Sequence, residues 1–418
     1  MDAFIIRGSR ALKGKVKVRG AKNAVLPIMA AALLTDERCT IENIPTLRDI
    51  VTMGKVLKHL GMAIEDNGNG ALVVDSSGLA NHIAPYELVR TMRASVLVMG
   101  PLLARLGKAK VALPGGCAIG LRPIDIHLKG LEALGAKIKI GRGYVEVSGK
   151  KLHGAEIRLS YPSVGATENL IMAAALAGGK TVIDNAAREP EIQDLAKFLR
   201  SLGAKIEGEG TSRISIEGVQ RLGSATHCVT PDRIEAGTYL AAGAITGGRV
   251  TVEGVVEEHL KPVSLKLAEA GVNIEVDGSS ITASIPGRMR PLNIRTMPYP
   301  GFPTDMQAQF MALMTVTPGI SSITETVFEN RFMQVAELNR MGADIRIEHN
   351  TAIINGVNNL SGAEVMASDL RASAALVLAG LVARGETHIS RIYHIDRGYE
   401  QIECKLRDLG ADIERVKE

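Results

Sequence analysis

Ala133–Ile140 reads ALGAKIKI, and this pattern returns five more times along a chain of 418 residues. HLGMAIED around Gly61, SLGAKIEG around Gly203, EAGVNIEV around Gly271, RMGADIRI around Gly342 and DLGADIER around Gly410 complete the set. The glycines stand at intervals of 74, 68, 68, 71 and 68 residues. Glycine accepts the left-handed backbone that stops a helix, and the alternating Ile or Val after it has the period of a strand. Each copy therefore reads as a helix, a glycine stop and a strand, and repetition at a fixed period marks one supersecondary unit used six times.

A second set of six segments precedes these by roughly 35 residues. They begin near Asn23 (NAVLPIMAAALL), Thr91 (TMRASVLVMGPLLA), Thr167 (TENLIMAAALAGG), Asp232 (DRIEAGTYLAAGA), Thr304 (TDMQAQFMALM) and Asp369 (DLRASAALVLAG). All are rich in small residues and apolar on nearly every side, as a buried helix must be. Most open on Thr, Asp or Asn, residues suited to N-caps. A turn, a short strand such as KTVIDN or RVTVEG and an amphipathic helix follow, giving a unit of about 70 residues. Six units divide into two lobes of three near CVTPD, Cys228–Asp232, where a Pro and a turn-forming Asp fall together. The expectation is an α/β protein with the alanine-rich helices inside each lobe, sheets around them and an active site in the cleft between lobes. Helix N-termini facing that cleft would favour an anion.

Composition agrees with two cores rather than one. Hydrophobic residues make up 46% and charged residues 22%, and the longest apolar run, Ala24–Leu34, falls short of the ~20 residues of a membrane helix. With no secretory signal in MDAFIIRGSRALKGK, a cytoplasmic protein with no membrane partner is expected. Cys39, Cys117, Cys228 and Cys404 are scattered and form no CxxC pair, against a disulfide framework or structural zinc. Net charge is +4, aromatics are 3% and Trp is absent, so a nucleic-acid surface has little to stand on, whereas small anionic substrates suit the positive excess.

The chemistry concentrates in LPGGCAIGLRPIDIH, Leu113–His127. Three glycines allow close approach of backbone to ligand, Pro114 and Pro123 stiffen the ends, and a lone thiol, Cys117, shares the loop with a fixed cation, Arg122. GGCAIG lacks the GxGxxG arrangement and no GK[ST] follows, so neither a Rossmann nor a P-loop site is present. His127 lacks a second ligand at metal spacing and reads as a hydrogen-bonding residue of the loop. No metal and no cofactor are expected.

The whole chain resembles the UDP-N-acetylglucosamine 1-carboxyvinyltransferases. The resemblance rests on RGAKNAVLP (Lys22, Asn23), TMRAS (Arg93), PGGCAIGLRPIDIH, SVGATEN from Ser163, GFPTDMQAQ (Asp305), ETVFENRF (Arg331), DLRAS (Asp369, Arg371) and HIDRGYE (Arg397), in the family's order. It implies the enolpyruvyl transferase fold, a two-domain inside-out α/β barrel of six units, three per domain. Domains of 22–230 and of 1–21 with 231–418 follow, the first twenty or so residues completing the second. It also implies transfer of the enolpyruvyl group of phosphoenolpyruvate to the 3'-hydroxyl of UDP-N-acetylglucosamine with release of phosphate, which opens peptidoglycan precursor synthesis.

That reaction needs a proton for the methylene carbon, a base for the hydroxyl, and cations against phosphate and carboxylate. The resemblance gives Cys117 as the acid and as the site of a covalent adduct, and Asp305 as the base. Asp369 assists proton transfer, although N-capping is an equal reading of it from the residues alone. Lys22, Arg122 and Arg397 contact phosphoenolpyruvate, with Arg331 and Arg371 as supporting charges. For the UDP-sugar it gives Asn23, Arg93, the run Arg122, Pro123, Ile124, Asp125 and Ile126, then Ser163, Val164, Gly165, Asp305 and Val327. A transferase using shikimate 3-phosphate shares fold and chemistry, but the cysteine of PGGCAIG belongs to the UDP-sugar family. A repeat scaffold without catalysis would not need Cys117 in one unit, Asp305 in another and Arg397 in a third.

Overall fold

The computed structural model describes the chain apart from residues 1, 9, 91, 114–123, 329 and 418, and of Arg93 it describes the backbone alone. All six repeat glycines take positive φ, between 89° and 108°, and a strand follows each within two residues: Ala63–Asp66, Lys137–Gly141, Lys205–Glu207, Asn273–Asp277, Asp344–Glu348 and Asp412–Lys417. At Gly61 the geometry is plain, since its N–H turns back to the carbonyls of Leu57 and Lys58 and closes the helix Arg48–Leu60.

The described strands form six four-stranded sheets of one pattern. Glu156–Arg158 runs parallel to Lys180–Asp184, which pairs antiparallel with Arg213–Glu217, and Lys205–Glu207 adds antiparallel at the far edge. Two sheets take their parallel edge strand from a distant part of the chain. Lys13–Lys17 lies beside Arg249–Glu253 with Val16 opposite Val252, and Thr226–Cys228 lies beside Cys39–Glu42 with His227 opposite Ile41. The strand Asp2–Arg7 inserts between Glu386–Ser390 and Asp412–Lys417, so both chain ends share one sheet. The described residues accordingly form two compact units, 20–113 with 124–230, and 2–19 with 231–417.

Each unit has its own apolar core. Its centre is made by the alanine-rich helices: Lys22–Ala31, Met99–Leu106 and Val164–Ala174 in one unit, Arg233–Ile245, Gln307–Thr315 and Leu370–Gly380 in the other. In Arg233–Ile245 every residue after Arg233 is buried, which the apolar composition on all sides requires. Among the described residues no helix is long and apolar enough to cross a membrane.

Two details depart from the sequence reading. Asp232 and Asp369 do cap their helices, but Lys22–Ala31 follows Ala21 without a side-chain cap, and Val164–Ala174 is capped by Ser163, leaving Thr167 inside. The helix expected from Thr91 is interrupted as well, because a 3-10 segment, Arg93–Val98, precedes Met99–Leu106. Asn169 supplies the reason. Its amide donates to the Val96 carbonyl at 3.0 Å and its oxygen accepts from the Gly100 N–H at 2.7 Å, so a carboxamide stands in the place of one i to i−4 helical bond.

Candidate functional site

In the unit built from residues 231–418, GFPTD ends in a 3-10 turn, Thr304–Met306, ahead of the helix Gln307–Thr315. Asp305 is the middle residue of that turn. Its carboxylate is held by two guanidiniums, Arg331 Nη1 at 2.8 Å and Arg371 Nη2 at 3.2 Å. Both arginines are buried, with 5% and 2% of their side chains exposed, whereas Asp305 keeps 24%. The base candidate is therefore partly exposed, and its two counter-charges are buried.

Arg371 lies in the first turn of Leu370–Gly380, directly after Asp369, whose Oδ1 accepts from the N–H groups of Arg371 and Ala372 at 2.7 and 3.1 Å. Burial alone would lower the guanidinium's pKa; Tyr399, Asp305 and Asp232 outweigh it and the net shift is upward. Arg371 Nε and Nη1 are buried with no hydrogen-bond partner among the described residues. Two guanidiniums thus share the Asp305 carboxylate, while Asp232 also acts on Arg371 and Glu325 reaches Arg331 through Thr304.

Arg331 and the backbone of Val327 and Phe328 are set by Glu325, 1% exposed. Its Oε1 accepts from the N–H groups of Val327 and Phe328 at 2.7 and 3.1 Å and from the Thr296 hydroxyl at 2.7 Å. Its Oε2 accepts from Thr304 Oγ1 at 2.8 Å, and that oxygen in turn accepts from Arg331 Nη1 at 2.9 Å. Val327 is thus fixed through its backbone. Arg397 is half-buried at the end of a 3-10 segment, Ile392–Arg397, bounded by Arg391 and Gln401 at positive φ. Its neighbour Asp396 is gripped by both Nη atoms of Arg415, at 2.6 and 3.1 Å.

In the other unit, residues 20–113 with 124–230, Lys22 begins its helix buried, with Nζ 3.6 Å from the buried Asp49 carboxylate, and Asn23 beside it is half-buried. Ser163 precedes Val164 and Gly165, the first turn of Val164–Ala174. Ile124 precedes the helix Asp125–Ala133, which contains Asp125 and Ile126. His127 is in that helix, not in a loop, and Asn169 Nδ2 donates to its Nδ1 at 3.0 Å. Burial lowers the imidazole to about 4, so it is neutral, as an acceptor Nδ1 requires. A Cβ on Gly165 would stand 3.3 Å from this ring. Cys117, Arg122 and Pro123 lie outside the described residues, as does the Arg93 side chain.

Of the other thiols, Cys39 is buried, Cys404 is half-buried and Cys228 is exposed, so packing accounts for only the first. Desolvation, followed by acidic neighbours for Cys228 and by partly offsetting contacts for Cys39, raises both thiols. Asp49, Glu325 and Asn169 were not singled out from sequence. Glu325 and Asn169 lie inside ETVFENRF and SVGATEN, but nothing local marks what either residue does, and Asp49 lies in no such motif. Among the described residues no group of three or more His, Cys, Asp or Glu is arranged to hold a metal ion.

Comparison with known proteins places the molecule in a class and then a family. The EPSP synthase (3-phosphoshikimate 1-carboxyvinyltransferase) profile matches residues 6–406. The crystal structure of the enolpyruvyl transferase NikO from Streptomyces tendae superposes with a TM-score of 0.90 at 25% identity over 99% of both chains. EPSP synthase from Acinetobacter baumannii gives 0.78 at 20% identity over all of both chains, a likeness of fold alone. The fold is that of the enolpyruvyl transferases.

Curated relatives then narrow the class. UDP-N-acetylglucosamine 1-carboxyvinyltransferase of Trichlorobacter lovleyi is 58% identical, and UDP-N-acetylglucosamine 1-carboxyvinyltransferase 2 of Carboxydothermus hydrogenoformans is 56% identical, each over the full length of both chains. The chain belongs to the UDP-N-acetylglucosamine 1-carboxyvinyltransferase family.

Proposed function

We propose that this enzyme transfers the enolpyruvyl group of phosphoenolpyruvate to the 3'-hydroxyl of UDP-N-acetylglucosamine, releasing phosphate, as the first committed step of peptidoglycan precursor synthesis in the cytoplasm. The reading is carried by the identity of 56–58% over whole chains to relatives of that name. Asp305, ion-paired to Arg331 and Arg371 and partly open, supports it as the group that takes the hydroxyl proton.

In the proposed first step the 3'-oxygen bonds to C2 of phosphoenolpyruvate, its proton passes to Asp305, and Cys117 delivers a proton to the methylene carbon. The resulting tetrahedral adduct then loses a proton from the new methyl group and expels phosphate, so the enol ether re-forms. Lys22, Arg122 and Arg397 are assigned to phosphoenolpyruvate, Arg331 and Arg371 to supporting charge, and Asp369 to assisting proton transfer while capping its helix. Asn23, Arg93, the run 122–126, Ser163–Gly165 and Val327 are assigned to the UDP-sugar. The first turn of Val164–Ala174 is suited to a diphosphate, since helix N-termini present free N–H groups to anions.

The test is incubation with phosphoenolpyruvate and either UDP-N-acetylglucosamine or shikimate 3-phosphate, following phosphate release and product mass. Turnover with the nucleotide sugar alone is expected. Turnover with shikimate 3-phosphate, or with neither acceptor, overturns the proposal.

A further inference from the structure

Beside Arg371 lies a set of neutral polar groups, bonded to one another, that the reaction as described does not use. Tyr399 is 1% exposed, and its hydroxyl lies 3.0 Å from Thr238 Oγ1 and 3.1 Å from Gln309 Nε2, which is also 3.1 Å from Thr238 Oγ1. The three residues come from different repeats: Thr238 from Arg233–Ile245, Gln309 from Gln307–Thr315 one turn after Asp305, and Tyr399 two residues after Arg397.

Proton counting fixes the directions. The Thr238 hydroxyl donates to the Ile234 carbonyl at 2.8 Å, so Thr238 Oγ1 accepts from both Tyr399 and Gln309, and the Tyr399 oxygen accepts the second Gln309 proton. Turning the Gln309 amide over would set two acceptors face to face across 3.1 Å. The Arg371 guanidinium lies over the Tyr399 ring, 5.4 Å from its centroid. Arg371 Nη2 donates to Asp305, and the Tyr399 hydroxyl as well as its ring acts on the guanidinium. The Tyr399 side chain therefore helps keep the remainder of the guanidinium in place, and Thr238 and Gln309 help keep Tyr399 in place.

We infer that Tyr399, locked by Thr238 and Gln309, is a positioning residue that aims Arg371 at Asp305 and so sets the geometry of the proton acceptor. The inference rests on the proposed role of Asp305 and concerns turnover rather than nucleotide-sugar binding. Tyr399→Phe keeps the ring and removes the lock. Its kcat should fall about 10-fold, short of the ~100-fold that a displacement of 1 Å can cost. The dissociation constant for UDP-N-acetylglucosamine, read by calorimetry, should change less than about two-fold.

Thr238→Val removes the same bond from its other end and should give a similar loss. The double variant should be no worse than the poorer single one, because both remove one interaction. Tyr239→Phe is the control, a fully buried tyrosine in the same helix whose hydroxyl contacts Glu235 at 3.4 Å. It should lower the melting temperature without lowering kcat. If Tyr399→Phe and Thr238→Val both keep wild-type kcat, or lose kcat only as Tyr239→Phe does, the positioning role is wrong. Asp305→Asn assayed in parallel separates the two levels: an active Asp305→Asn removes the catalytic reading, whereas an inactive one beside fully active Tyr399→Phe removes only this inference.

Discussion

Around Asn169 the buried polar groups are neutral, whereas around Asp305 they are ionic. Asn169 bonds to the Val96 carbonyl, the Gly100 N–H and a neutral His127, and the adjoining Glu168 carboxyl is pushed well above its ordinary range by burial first and by Glu191 and Glu189 second. Around Asp305 two arginines are ion-paired to one carboxylate, with Glu325 close behind. Both places adjoin the centre of three apolar helices built by the same repeat. A neutral group that bonds to backbone reshapes the fold, as Asn169 does by breaking a helix, while the charged cluster is the one the proposed reaction uses. In that reading the same scaffold carries architecture in one place and chemistry in the other.

The sharpest way to break this contrast is Asn169→Leu, which strands a backbone N–H and a carbonyl as well as the His127 acceptor. At 1–3 kcal/mol for each buried unsatisfied group, stability should fall by about 4 kcal/mol, measured by urea unfolding. A loss under about 1 kcal/mol would mean that the segment 93–106 closes into regular helix unaided.

Titration offers a second test, because burial acts on His127 and Glu235 with opposite sign. His127, lowered to about 4, contributes stability that is full above its unfolded value of 6.5 and is lost as pH falls toward 4. Glu235, raised by burial to about 7 against the pull of Lys405, contributes stability that is full below 4.5 and is lost as pH rises through 7. Each shift corresponds to about 3 kcal/mol at 1.36 kcal/mol per pH unit. Urea midpoints across pH should show His127→Gln losing the decline below 6.5 and Glu235→Gln losing the decline above 4.5. Profiles parallel to wild type would remove the burial argument.

A smaller effect tests what the two units share. Gly203 and Gly342 have φ of 102° and 89°, and nothing lies within 4 Å of a Cβ built on either. Alanine at each should cost about 1–2 kcal/mol by backbone conformation alone, and nearly the same amount in both units. Unequal losses would show that the repeats are not equivalent at their stops.

These glycines also show what the sequence could tell. Each motif carried its own local rule, a left-handed stop and then an alternating strand, so six helices and strands could be read without tertiary knowledge. The all-round apolar helices were legible for the same reason. The exchange of Lys13–Lys17 and Thr226–Cys228 between sheets was not, since no local pattern says which distant strand will pair. Asn169 breaks a helix 69 residues away, and Glu325 spends its oxygens on backbone and hydroxyls, so neither carries a local signature. Asp305 could be placed at a helix start, but its two arginines are 26 and 66 residues distant and only the fold brings them in.

Three equivalent helix starts carry an aspartate, and the account turns on how they differ. Asp232 and Asp369 give their carboxylates to backbone N–H groups, while Asp305 gives its own to two guanidiniums. The most direct measurement is therefore kcat and UDP-N-acetylglucosamine affinity for Asp305→Asn beside Asp232→Asn. Asparagine caps a helix as well as aspartate, so Asp232→Asn should keep kcat within about two-fold. At position 305 the amide keeps the shape but cannot take a proton, and kcat should fall by about 100- to 10,000-fold with affinity nearly unchanged. Equal losses of turnover and affinity at Asp305, or equal damage from the two substitutions, would contradict the account.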